Sequence, residues 1–164
     1  MIEPVKHVEI ALSDVTQFIY HEARLQDEHE YDAWEELWAD DGIYWIPSGG
    51  GGGDPESEMS LVYDNRSRIG LRIRQLNSGK RHSQSPRSRL CRVISNIEIV
   101  GTEKDAIRVV ANALVFESNS RGETLWPARY EYLLRRVDGD LRMSLKKVLL
   151  VNNDKPLHTL SFLI

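Results

Sequence analysis

The chain has 164 residues, a formal net charge of −4 and a single cysteine. That length suits one domain spanning residues 1–164, and one cysteine excludes an intrachain disulfide. No apolar run approaches the roughly 20 residues of a membrane span, and the start at Met1 lacks a basic stretch leading into an apolar one, so a cytoplasmic protein is expected.

The first element is a helix from Asp14 to about Asp27. Val15, Phe18, Ile19, Ala23 and Gln26 share one face at spacings of three and four, and Ser13 is placed to cap it. Asp32 to Glu35 has the form of a capping box opening a short second helix, with Trp34, Leu37 and Trp38 on one side. Asp41-Gly42 is expected to end that helix. Ile43 to Ile46 then reads as a strand, stopped by Pro47.

Gly49 to Gly53 forms a loop. It runs into Asp54-Pro55-Glu56 rather than Gly-Lys-Ser/Thr, so it lacks the means to cradle phosphate. Asp64 or Asn65 caps a third helix with Ile69, Ile73 and Leu76 inward, and Asn77-Ser78-Gly79 ends it. Arg66, Arg68, Arg72 and Arg74 occupy its other faces.

From Leu90 the pattern becomes that of strands. Val93–Val100 and Ile107–Glu117 are two, with a turn at Ser118–Gly122, and Glu123–Val137 is a third. Asp138-Gly139 is a hairpin signal leading to Leu141–Val151. Alternation there puts Leu141, Met143, Leu145, Leu149 and Val151 on one face, and Arg142, Ser144 and Lys146 on the other. Helices first and antiparallel strands later make an α+β chain, with a curved sheet wrapped around the helices as a cone.

Charge is unevenly divided. Residues 1–64 carry 16 acidic and 2 basic side chains, whereas residues 65–92 carry 9 basic and no acidic ones. The basic tract lacks interleaved aromatics in an acidic chain, so nucleic-acid binding is not expected. Arg66, Arg72, Arg87 and Arg89 are candidate ion-pair partners at subunit contacts or to the acidic helices. His21 and His29 leave a third metal ligand unspecified and read as ordinary polar side chains. Cys91 has no His–carboxylate arrangement and reads as a structural thiol. Trp126-Pro127 reads as core or subunit contact at a strand edge or bulge, and Phe162, Leu163 and Ile164, an exposed apolar patch in a monomer, are expected to be buried against the sheet or a neighbouring subunit, so these too are candidate contacts.

Several segments carry a family resemblance: Tyr20-His21-Glu22-Ala23-Arg24-Leu25, Ile43 to Pro47, Ser60 to Arg66, Pro86-Arg87-Ser88-Arg89 and Val93 to Ile97. In order and spacing the chain resembles the small (β) subunit of Rieske-type aromatic-ring-hydroxylating dioxygenases. The pentaglycine tract departs from that pattern.

The resemblance implies a cystatin-like cone, as in nuclear transport factor two and ketosteroid isomerase. It also implies a non-catalytic subunit, forming a trimer and assembling with catalytic α subunits as three α and three β. The Rieske 2Fe-2S cluster and the mononuclear iron would lie in α, with no cofactor in this chain. Its single cysteine and the lack of a suitably spaced His pair agree with that division. The alternative within the same fold is a small isomerase, dehydratase or cyclase. Asp41, Tyr44 and His82 are the residues to weigh as its acid or base.

Overall fold

The computed structural model describes residues 9–49, 53–79, 86–152 and 160–164. Helix α1 (Leu12–Asp27) buries Val15, Phe18, Ile19, Ala23 and Gln26, the face expected from the spacing, and also Glu22 and Leu25. Its N-cap is Ala11, which makes no side-chain bond, so Ser13 lies inside the helix and does not cap it. Helix α2 (Tyr31–Glu35) is capped by Glu30, again without a side-chain bond. Asp32 falls inside it, and its carboxylate accepts from Asn77 Nδ2 at 2.8 Å instead.

Strand β1 (Trp38–Pro47) starts before Asp41-Gly42, so that pair ends no helix. β1 is paired through Trp38 and again from Ile43, with an irregularity between. Gly42 is required in that bulge, because an added Cβ would stand 2.6 Å from Trp38 Cε3 and 3.0 Å from Ala39 O. Strand β2 (Ser60–Asp64) pairs antiparallel with β1. Helix α3 (Arg66–Asn77) is capped by Asn65, whose side chain accepts from Arg68 N at 3.0 Å, and it buries Ile69, Ile73 and Leu76.

The remaining chain is a meander of long strands, β3 (Arg89–Glu103), β4 (Ala106–Asn119), β5 (Gly122–Val137) and β6 (Asp140–Leu150). Asp138 and Gly139 have φ values of 51° and 88°, the positive pair that a tight primed hairpin needs. The sheet order is β2-β1-β6-β5-β4-β3, with β1 and β6 parallel and the other pairs antiparallel. The fold is therefore α+β, with the N-terminal helices against one face of a mostly antiparallel sheet.

The sheet corrects one alternation. Leu133 pairs with Leu145 but Leu134 pairs with Met143, so Ser144 is an extra residue in β6. One inserted residue reverses which side chains face inward. Leu141 and Met143 are buried before the bulge; Lys146, Val148 and Leu150 are buried after it. Lys146 thus points into the core, while Leu149 and Val151 point away from it.

A filled interior and a candidate contact surface

Lys146 is fully buried and its Nζ donates to Glu22 Oε1 at 2.7 Å, Glu22 Oε2 at 3.1 Å and Gln26 Oε1 at 3.1 Å. Tyr132 OH donates to Glu22 Oε1 at 2.9 Å, and Trp34 Nε1 to Oε2 at 3.0 Å. The ammonium also sits 4.5 Å from the Tyr130 ring centre. Every oxygen of Glu22 is thereby satisfied, which a buried carboxylate demands. Burial pushes the Lys146 ammonium down to about 8, and Glu22 opposes that shift. Glu22 follows Phe18 and Ile19 by four and three residues, so helical spacing already put it on the core face.

Of the acid–base candidates, Tyr44 is buried. Its hydroxyl donates to the main-chain O of Ile164 at 2.7 Å and accepts from Ile164 N at 3.0 Å. Burial raises the Tyr44 hydroxyl far above the usual phenol range, away from proton transfer near neutrality. The cavity beside it, lined by Ile46, Arg72 and Leu163 among others, is about 40 Å³. Ligand pockets run to roughly 300–1,000 Å³. Asp41 lies on the surface, paired with Arg135 at 3.0 Å, and shares no site with Tyr44. His82 lies outside the described residues.

Trp126, Phe162, Leu163 and Ile164 are buried in their own chain. Phe162 packs edge-on to Trp126, with ring centres 5.8 Å apart. Arg92, buried beneath, pairs with Asp27 and donates to Leu163 O. Glu117 holds the same region by accepting from Trp126 Nε1 at 3.1 Å, Ser88 Oγ at 2.7 Å and Ser161 Oγ at 3.3 Å. These four side chains therefore knit the segment at Leu160–Ile164 to the sheet and are not displayed to a neighbour.

Two of the four candidate arginines are paired internally. Arg66 binds Glu35 at 2.8 Å, which links α3 to α2, and Arg72 binds Asp64 at 2.6 Å. Arg87 lies over the Tyr31 ring at 5.6 Å, and Arg89 is exposed. Gly70 makes room for the first pair, since a Cβ there would stand 2.9 Å from Glu35 Oε1.

The outer face of the sheet carries what alternation alone did not single out. Val93 pairs with Leu114, which pairs with Pro127; Cys91 pairs with Phe116, which pairs with Leu125. Residues directly opposite share a face. Val93, Leu114, Phe116, Leu125 and Val151 are exposed by 59, 48, 43, 54 and 61 %. They lie across neighbouring strands, so they form one apolar field on the side away from the helices. A half-solvated antiparallel sheet is polar on its outer side, so an apolar one is a candidate contact surface. The signal was present in β4, where Val109 to Phe116 is apolar at both parities except Asn112. A groove of about 340 Å³ adjoins this field, lined by Asn96, Glu98, Asn112, Arg129 and Leu149 among others.

Among the described residues no three His, Cys, Asp or Glu side chains converge as a metal site. His21 is bonded to Arg24 at 3.0 Å. His29 donates from Nε2 to Ser88 O at 2.8 Å and accepts from Tyr31 OH at 2.6 Å. No helix among the described residues is long and apolar enough to cross a membrane.

Comparison with known proteins agrees with this geometry. A sequence model of the family described as ring hydroxylating beta subunit matches residues 21–154. The small oxygenase component of the p-cumate 2,3-dioxygenase system of Pseudomonas putida is 29% identical over 143 residues, covering 86% of this chain and 79% of that one. The benzoate 1,2-dioxygenase subunit beta of Acinetobacter baylyi is 25% identical, covering 88% of each. In fold, the chain resembles the crystal structure of the benzoate 1,2-dioxygenase β subunit of Burkholderia mallei. That likeness has a TM-score of 0.76 at 24% identity, over 89% of this chain and 94% of that one.

Proposed function

Because the chain belongs to the ring-hydroxylating dioxygenase β-subunit family, we propose that it is the non-catalytic structural subunit of an aromatic-ring dioxygenase. In this reading it self-associates as a trimer through the outer face of its sheet and holds three catalytic α subunits in register. The Rieske cluster, the mononuclear iron and the aromatic substrate then belong to α. The apolar field of Val93, Leu114, Phe116, Leu125 and Val151 carries the proposal. Five large side chains left about half exposed on adjacent strands lose free energy to water unless another surface covers them. The interior offers no comparable opportunity, because Trp34, Tyr44, Tyr130 and Tyr132 fill it.

Light scattering on the purified chain, with and without its α subunit, tests the reading. The expected mass for the chain alone is three times 18.8 kDa. Phe116→Glu should reduce it to the monomer mass without unfolding the chain. A wild-type monomer at micromolar concentration that also ignores α would overturn the proposal.

A further inference from the structure

The groove beside the apolar field is shaped by an irregularity in β3. Ser95 pairs with Asn112 and Glu98 with Val110, so β3 places Asn96 and Ile97 where β4 places Ala111 alone. Asn96 has a φ of 55°, in the left-handed region that few residues other than glycine adopt. One inserted residue reverses the alternation of a strand. Cys91, Val93 and Ser95 share the outer face, and an unbroken β3 would set Ile97 there next. Ile97 instead packs against the core, and Glu98 lines the groove. Arg129 stands two strands away on β5, opposite Asn112 on one side and Leu149 on the other. Neither Arg129 nor Glu98 forms an ion pair among the described residues, whereas Glu131, also at the groove, is held by Arg108.

We infer that this groove binds a small hydroxylated aromatic acid, with its carboxylate at Arg129 and its hydroxyl at Glu98. The volume of about 340 Å³ lies within the roughly 300–1,000 Å³ of ligand pockets. Charge and floor select the ligand. The Arg129 guanidinium, without a carboxylate of its own chain, offers a two-pronged grip on one. Glu98 repels a second negative charge and accepts from a hydroxyl. The Asn96 and Asn112 amides also line the groove and can donate to one end or accept from the other. Val110 and Leu149 supply apolar surface for a ring. Because β4 separates β3 from β5, the backbones that carry Glu98 and Arg129 lie about 10 Å apart. Side chains that long reach towards each other, and a single ring with substituents at opposite ends bridges the remainder. All these residues belong to one chain, so the inference does not depend on the reading of the chain as a dioxygenase subunit.

The test titrates the full-length chain calorimetrically with 4-hydroxybenzoate, benzoate and phenol. Saturable one-to-one binding is expected for 4-hydroxybenzoate, weaker binding for benzoate, and none for phenol at the same concentrations. Arg129→Met should weaken both acids by about tenfold or more, the loss of a hydrogen-bonded charge. Glu98→Ala should bring 4-hydroxybenzoate down to the level of benzoate and leave benzoate itself no weaker. Arg121→Glu, in the β4–β5 turn, should change neither. All three substitutions are at exposed positions, and melting temperatures and light scattering should match wild type, which separates a lost ligand from a lost fold or assembly. Absence of saturable binding to the wild-type chain would overturn the inference. So would equal affinity in Arg129→Met, or an equal loss of both acids in Glu98→Ala. Uptake of all three compounds alike would show non-specific contact with the apolar field and would overturn it too.

Discussion

Lys146 and Glu22, 124 residues apart in sequence, meet in the interior with Nζ 2.7 Å from Oε1. The bond ties β6 to α1 through the interior between helix and sheet. Tyr132, Trp34 and Gln26 complete its hydrogen bonding, so the pair is an internal cross-link between helix and sheet.

Removing one partner should therefore be far worse than removing both. Glu22→Ala strands a buried ammonium and should cost about 3–5 kcal/mol in urea unfolding. Glu22→Leu with Lys146→Met, which refills the volume, should come much closer to wild type. Equal losses in the single and double variants would show that packing, not charge, dominates there.

Stability should vary with pH in two directions on the alkaline side. Lys146 keeps its proton up to about 10.5 when unfolded but only to about 8 when folded, because burial outweighs Glu22. Between those values the unfolded state binds more protons, so stability rises with pH. Lys147, also lowered by burial, adds in the same sense. Burial raises Tyr44, Tyr130 and Tyr132 above their ordinary 10.0, so there the folded state binds more protons and stability falls as pH climbs further. Urea midpoints should rise from about pH 8 to 10 and then decline. Lys146→Met should flatten most of the rise and keep the decline.

Arginine substitutions should divide by burial. Arg92 is enclosed, pairs with Asp27 and holds the main chain at Leu163. Arg92→Ala should cost about 3–5 kcal/mol. Arg135 pairs with the exposed Asp41, and Arg135→Ala should cost no more than about 1 kcal/mol. Thermal melts of the two variants side by side check the contrast.

Gly42→Ala should destabilise by about 1–3 kcal/mol through overpacking. The new methyl would meet the Trp38 ring at 2.6 Å, and that ring is wedged near Trp34 and Tyr44. A companion change of Trp38 to Leu should recover part of the loss if the clash is its source. Calorimetric melting temperatures of the single and double variants provide the comparison.

Much of the architecture was legible because it rests on local rules. The apolar spacing of α1, the Asn65 cap of α3 and the Asp138-Gly139 hairpin each need only a few neighbouring residues, and each stands where the pattern put it. The expected stop at Asp41-Gly42 failed because a glycine that closes a helix and one that permits a bulge look alike in sequence. Lys146 was placed outward because alternation assumes an unbroken ladder, and the extra Ser144 breaks it.

The sequence by itself determined the succession of helices and strands and the division of charge, since propensity, capping and hydrophobic period act within a few residues. It also held the family likeness in its ordered segments. Only the tertiary structure decided which charges are internal and which are free. Glu35 pairs with Arg66 and Asp64 with Arg72, while Arg68 and Arg74 form no ion pair among the described residues. It likewise decided that Phe162 and Ile164 belong to the core while Phe116 and Leu114 face outward. Hydrophobic burial is non-directional, so composition can require that apolar surface be covered without naming what covers it. Strand register and the meeting of distant segments make that choice.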